Sequence, residues 1–258
     1  MDHDHHHSKE TGMPKPLANR IALLTGGSRG IGYATALALA KEGAHVVATA
    51  RTVGGLEELD DAIKAIGGTA TLVPLELRDT DGIARLAAAL NERYGKLDIL
   101  IGNAALVGSN SPLDHFQPKE WDEVIAVNVT ANWHLIRTMH PLLMCSDAGR
   151  VLFLTSGAPS NPRAYRGLYA TSKAALETMA RTYAAETAST PIRVNLYNPG
   201  PTRTRMRAAV MPGEDPMTLP TPDEVAAKIV PLCLPGFNET GKLYDFRAGK
   251  LLSFRPPA

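Results

Sequence analysis

The chain has 258 residues, 44% of them hydrophobic and 21% charged, and a formal net charge of +1. This length suits one α/β domain with a substantial buried core. The charge balance excludes a general basic field for nucleic acid or an anionic membrane, and no apolar run approaches the roughly 18–20 residues that span a bilayer.

Residues 1 to about 18 read as a disordered His-rich tail or a tag. The run Asp2-His3-Asp4-His5-His6-His7 carries imidazoles that bind divalent metal, but no metal site is assigned to it. No apolar leader is visible, so the expected location is cytoplasmic. Cys145 and Cys233 lie far apart and are expected to be reduced and buried.

From residue 20 onward apolar runs alternate with amphipathic stretches. Predicted strands are Arg20–Thr25, His45–Ala50, Ala70–Leu77, Leu97–Ile101, Arg150–Thr155, Ile192–Tyr197 and Lys242–Phe246. Several are unbroken apolar runs, as expected for strands covered on both faces. Predicted helices are Ile31–Glu42, Leu56–Ile66, Asp81–Tyr94, a long one near Pro118–Cys145, Leu168–Thr187 and Pro222–Leu234. The last opens with Thr221, Pro222 and Glu224, a capping-box pattern. Such alternation predicts a doubly wound parallel sheet of about seven strands, with helices on both faces. Ligands bind such sheets beyond the carboxyl ends of the strands.

The first strand runs into Thr25-Gly26-Gly27-Ser28-Arg29-Gly30-Ile31-Gly32. A glycine-rich turn into a helix lets main-chain amides approach phosphate, and the helix terminus adds positive potential. The lysine of an NTP loop is absent. The second strand ends at Ala50 without an acid and is followed by Arg51. An acid there would bond a ribose 2′-hydroxyl; a guanidinium can grip a 2′-phosphate. Arg29 could reach the same phosphate; the bland alternative, a solvated surface arginine, weighs more for Arg29 than for Arg51. The reading favours NADP(H), with NAD(H) as the alternative.

Tyr169 and Lys173 are four apart at the start of a helix and so share one face. An ammonium beside a phenol favours the phenolate and suits it to proton transfer. Ser156 closes the fifth strand, where a hydroxyl can polarise a carbonyl. Between Asn198 and Thr221 lies a Pro-, Arg- and Thr-rich stretch read as a substrate lid, about residues 201–219. Its Arg203, Arg205 and Arg207 could attract an acidic substrate or form a solvated face.

With these motifs in this order, residues 19 to about 250 resemble the short-chain dehydrogenase/reductase family in its single-domain form. Thr25–Gly32 matches the family's TGxxxGxG turn and Tyr169-x-x-x-Lys173 its active-site motif, with Ser156 upstream. The resemblance implies a Rossmann-like fold and a hydride exchanged between nicotinamide and a carbonyl or secondary alcohol. It implies a catalytic set of Asn128, Ser156, Tyr169 and Lys173. Asn128 would disturb the fourth helix and place a water that links the lysine to solvent. The implied cofactor contacts are Gly26, Ser28, Arg29, Gly30, Ile31, Gly32, Arg51, Glu76, Leu77, Asn103, Ala104, Tyr169, Lys173, Pro199, Gly200, Thr202 and Thr204. Thr204 stands where a hydroxyl meets the carboxamide, and Glu76 replaces a shorter acid near the adenine.

A second departure is Gly102-Asn103-Ala104-Ala105, where the family carries Asn-Asn-Ala-Gly. This change is expected to loosen the sheet centre or alter the pocket floor. The resemblance also implies a homodimer or homotetramer, paired through long helices on which Trp133, Leu135 and Met139 read as exposed. Two alternatives stay open: a 3-oxoacyl-thioester reductase, and an NADP-binding regulator without catalysis.

Overall fold

The computed structural model describes residues 12–257. The His-rich run falls outside them. An eight-stranded sheet has the order β3-β2-β1-β4-β5-β6-β7-β8. Its strands are β1 (Ile21–Thr25), β2 (His45–Ala50), β3 (Thr69–Pro74), β4 (Ile99–Gly102), β5 (Arg150–Leu154), β6 (Arg193–Asn198), β7 (Lys242–Asp245) and β8 (Lys250–Ser253). The first seven run parallel, and β8 pairs antiparallel to β7. About seven strands were predicted; the additional one is a four-residue edge strand after the turn at Gly249, too short to register as a periodic run.

Every residue of β1, β4 and β5 is buried. The pleat explains how both faces are used: Ile21 and Leu23 enter one core layer, Ala22 and Leu24 the other. The helices are α1 (Gly30–Lys41), α2 (Val53–Ala65), α3 (Thr80–Tyr94), α4 (Pro118–Ile125), α5 (Ala131–Met144), α6 (Gly167–Glu186), α7 (Arg205–Val210) and α8 (Pro222–Ile229). Apolar residues of α3, α5 and α6 build one layer and those of α1, α2 and α8 the other.

Several expectations are corrected. Leu17 is fully buried and its N–H donates to Glu42 O at 2.9 Å, so the packed fold begins before residue 19. The single helix near 118–145 is two helices joined by a π-helical turn, Ala126–Thr130. Leu135 and Met139 lie in the core; only Trp133 of that trio is exposed. Cys145 is exposed at the end of α5, where the helix stops covering the sheet, whereas Cys233 is buried. The 201–219 segment is not wholly irregular, because α7 lies within it. The capping box at Thr221 and Glu224 is present as expected.

At the amino ends of the strands, Asp98 is fully buried. It accepts from Ile21 N at 2.8 Å and Ser146 Oγ at 2.6 Å, and pairs with Lys96 at 2.9 Å. These bonds tie β1 to β4 at the edge opposite the carboxyl ends. Between β1 and β4 the strand order reverses, which opens the crevice where ligands of this architecture sit. Among the described residues, no helix is long and apolar enough to cross a membrane.

Candidate active site

The glycine turn leaves β1 at this reversal. Gly26 and Gly30 have φ of +73° and +59°, conformations that cost other residues strain. A Cβ on Gly32 would collide with the Gly26 carbonyl, so α1 can approach the strand only with glycine there. The amino end of α1 differs from those of α3 and α8. Asp79 and Thr221 cap those helices with their side chains, whereas Arg29 makes no side-chain cap and no acid stands in the first turn of α1. The nearest atom to a Cβ placed on Gly30 is Thr204 Cγ2, at 3.6 Å. Uncapped amides, a favourable dipole and a glycine with only one neighbour, at ordinary contact distance, fit a diphosphate. Ser28 and the exposed Arg29 flank the turn, and Ile31 is half-buried behind it.

Thr25 builds the neighbouring wall, a role that its place in the motif did not disclose. Its Oγ1 accepts from Asn103 N at 3.0 Å and Ala104 N at 3.1 Å. Asn103 Nδ2 donates to Gly26 O at 3.1 Å, which locks the end of β4 to the glycine turn. The expected loosening at Gly102 does not occur. A Cβ there would lie 2.5 Å from Phe153 Cδ1 and 2.7 Å from Asn132 Oδ1, so neighbouring side chains fill the space a larger residue would take.

Arg51 follows β2 as expected, but it is not a free surface group. Its Nε pairs with Glu76 Oε2 at 2.9 Å, while Glu76 Oε1 accepts from Arg78 Nε at 3.0 Å. Burial pushes the Glu76 carboxyl up, but the two arginines outweigh it and hold the group below its ordinary range. Glu76 is thus committed to two guanidinium groups, and the Leu77 side chain points into the core.

Tyr169, Lys173 and Ser156 come together where α6 meets the end of β5. Lys173 Nζ lies 5.8 Å from the Tyr169 ring centroid and donates to Leu154 O at 2.9 Å. Burial brings the Lys173 amine down to about 8, against the opposing pull of Glu177. For Tyr169, burial dominates and pushes the phenol up. The Ser156 hydroxyl and the Arg166 guanidinium work in the other direction. The lysine was expected to be the main acidifying neighbour; its ammonium is turned to the Leu154 carbonyl instead. Arg166, 5.9 Å from the ring, is a site residue that the spacing of Tyr169 and Lys173 does not signal.

Asn128 occupies the π-turn and is fully buried. Its Oδ1 accepts from Leu106 N, and its Nδ2 donates to Leu106 O, each at 2.8 Å; Nδ2 also lies 3.0 Å from Ser172 Oγ. Ser172 Oγ in turn donates to Tyr169 O at 2.7 Å. The Asn128 amide therefore braces the start of α6, and a water on this residue would have to use its main-chain carbonyl, which already accepts from Asn132 Nδ2 at 2.8 Å.

On the far side, Asn198 Oδ1 accepts from Gly200 N at 3.0 Å, and Pro199 leads into the 201–219 segment. Thr202 is buried and donates to Gly200 O at 3.1 Å; Thr204 caps α7 through Arg207 N. Two of the three arginines of the 201–219 segment are consumed internally. Arg203 donates to Pro216 O and Leu219 O, at 2.9 and 3.0 Å, and Arg207 meets both oxygens of Glu214, at 2.8 and 2.9 Å.

Comparison with known proteins agrees with this geometry. The family model for short chain dehydrogenases matches residues 20–215. An uncharacterised Escherichia coli K12 oxidoreductase, YciK, is 36% identical, covering 91% of this chain and 94% of its own. The Bacillus subtilis 2,3-dihydro-2,3-dihydroxybenzoate dehydrogenase is 31% identical over 78% of this chain and 77% of its own. A short chain dehydrogenase structure from Shigella flexneri, complexed with NADP, superposes with a TM-score of 0.85 at 35% identity, covering 90% of this chain and 98% of that one. The chain belongs to the short-chain dehydrogenase/reductase family, whose members are NAD(P)-dependent oxidoreductases of CH–OH and C=O groups.

Proposed function

We propose that this protein is an NADP(H)-dependent oxidoreductase that interconverts a carbonyl and a secondary alcohol through Ser156, Tyr169 and Lys173. The observation that carries the reading is the convergence of Tyr169 and Lys173, on one face of α6, with Ser156 at the end of β5. The relatives' complexes with NADP and NADPH support the choice of cofactor, as does Arg51 where an NAD-selective site carries an acid.

The glycine turn and the amino end of α1 would hold the diphosphate, Arg51 the 2′-phosphate, and Lys173 the ribose hydroxyls beside the nicotinamide. When bound, the cofactor supplies or accepts the hydride. Ser156 donates a hydrogen bond to the substrate oxygen and polarises the carbonyl. Tyr169 gives its phenolic proton to that oxygen as the alcohol forms. Lys173, kept charged, stabilises the resulting phenolate until solvent returns the proton. Alcohol oxidation reverses each step. Asn128 serves by holding α6 in place through Ser172.

Two further inferences accompany this reading. The exposed Trp133 and the long α5 and α6 suit pairing into a homodimer or homotetramer, which light scattering of the purified chain measures directly. The substrate is a small carbonyl compound or alcohol, with acyl thioesters among the candidates. The decisive experiment screens NADPH and NADH oxidation against aldehydes, ketones, quinones and acyl thioesters, then repeats the best pair with Tyr169→Phe. Turnover should fall at least about a hundredfold, with NADPH affinity within about twofold. Undiminished turnover in the variant would overturn the assignment.

A further inference from the structure

Three consecutive residues at the end of β5 each meet one member of a stripe on α6. Leu154 O accepts from Lys173 Nζ at 2.9 Å, Thr155 Oγ1 donates to Glu177 Oε2 at 2.7 Å, and the Ser156 hydroxyl faces the Tyr169 phenol. Tyr169, Lys173 and Glu177 follow one another at intervals of four and so lie along one side of the helix. Glu177 is only 7% exposed and Lys173 only 3%.

A carboxylate buried this deeply is costly unless a cation and hydrogen bonds compensate for lost water. Burial pushes the Glu177 carboxyl above its ordinary range; the Thr155 hydroxyl opposes that rise first, then Arg181 and Lys173, both from α6 itself. From the sheet it meets the neutral Thr155 hydroxyl, and among the described residues no ionisable group of another element is among those shifting it. A glutamine would satisfy Thr155 equally well, so packing alone does not account for an acid. The acid stands one turn from Lys173 on one side and one turn from Arg181 on the other.

We propose that Glu177 is a positioning residue whose carboxylate, one helical turn from Lys173, favours the ammonium form of that lysine, with the hydrogen bond from the Thr155 hydroxyl favouring the ionised form of Glu177 against its burial. Glu177 touches neither substrate nor cofactor, and its place in the reaction rests on the functional reading above. The role matters because burial leaves Lys173 near the margin of charge. With the amine at about 8, a further fall of about one unit cuts its ammonium population at pH 7.5 about threefold. Loss of the Thr155 hydroxyl acts in the same direction, because a protonated Glu177 offers Lys173 no charge.

Lysine side chains labelled at 13Cε in the full-length protein, without cofactor, report the Lys173 midpoint directly, with Lys173→Arg identifying the signal. Glu177→Gln should lower that midpoint by about 0.5–1 unit. Thr155→Val should lower it by less, and Glu177→Asp should retain most of the wild-type value. Should Glu177→Gln fail to fold, Thr155→Val decides the matter with the same sign. NADPH affinity, followed by fluorescence, should weaken at lower pH in Glu177→Gln than in wild type. A Lys173 midpoint indifferent to both Glu177→Gln and Thr155→Val overturns the proposal. Wild-type protein that binds no NADPH would instead overturn the functional reading, and the lysine titration would still stand.

Discussion

Gly102 on β4 and Phe153 on β5 occupy one volume: the Phe153 ring fills the space where a side chain on Gly102 would stand. Phe153 is fully buried at the sheet centre, beside the strand that leads into Asn103. The absent amide at this position is therefore matched by a neighbour rather than left as a gap. Gly102→Ala forces the ring aside and should cost about 1–3 kcal/mol. For a chain of this size that lowers the melting temperature by roughly 2–10 °C. Thermal unfolding followed by circular dichroism measures it. Adding Phe153→Leu to Gly102→Ala should recover part of the loss, because the smaller side chain frees the contested space.

Arg51 is oriented by Glu76 through Nε at 2.9 Å. Charge-assisted bonds to a phosphate contribute about 1.5–3 kcal/mol, so Arg51→Ala should weaken NADPH binding about ten- to a hundredfold. NADH binding should change less than about threefold, since it offers no 2′-phosphate. Calorimetric titration with both dinucleotides separates the two. Equal losses for both would remove Arg51 from the 2′-phosphate site. Arg51 is largely exposed, so the variant should unfold at nearly the wild-type temperature.

Lys173 gives opposite pH signatures in catalysis and in stability. Its amine titrates at about 8 in the folded protein, below its ordinary value of 10.5. In the proposed mechanism the ammonium is the working form, so kcat/KM should decline as pH rises through about 8. For stability, the unfolded chain binds more protons than the folded one between those two values. The cost of burying this ammonium is thus fully present below about 8 and is relieved as pH rises toward 10.5. Urea unfolding of wild type and Lys173→Met at pH 7 and 10 tests the sign. Lys173→Met should show its greatest stability advantage at the lower pH.

The Arg207–Glu214 pair ties the 201–219 segment, the expected substrate lid, to itself with two parallel bonds. Both side chains are partly exposed, so the pair adds little to global stability. Its effect should fall on the order of the lid. Glu214→Gln should raise KM for the carbonyl substrate about two- to fivefold, through a less ordered lid, and move the melting temperature by under about 2 °C. Steady-state kinetics beside thermal unfolding checks both. A large fall in melting temperature with unchanged KM would make the pair a stabilising strut instead.

Much of the fold was legible because periodicity is local. Unbroken apolar runs such as Arg150–Thr155 marked strands covered on both faces, and β5 fills most of that span. Thr221, Pro222 and Glu224 marked the start of α8 through bonds within one turn. The interruption at Asn128 was foreseen only through the family resemblance, and it is a π-helical turn. Residues whose environment comes from distant elements were harder to place. Leu135 and Met139 read as exposed until α3 and α6 enclosed them in one core layer with α5. Cys145 read as buried, but its helix ends there.

The amino-acid order alone determined the strand–helix alternation, the glycine turn, and the spacing that puts Tyr169 and Lys173 on one helical face. Each follows from backbone geometry over a few residues. Only the tertiary structure decided that Arg51 is held by Glu76, that Phe153 stands where Gly102 leaves room, and that the Lys173 amine faces Leu154 with Glu177 behind it. The reason is desolvation: the charge a side chain carries is set by which distant segments exclude water from it and which dipoles replace that water, and chain folding alone brings those segments together.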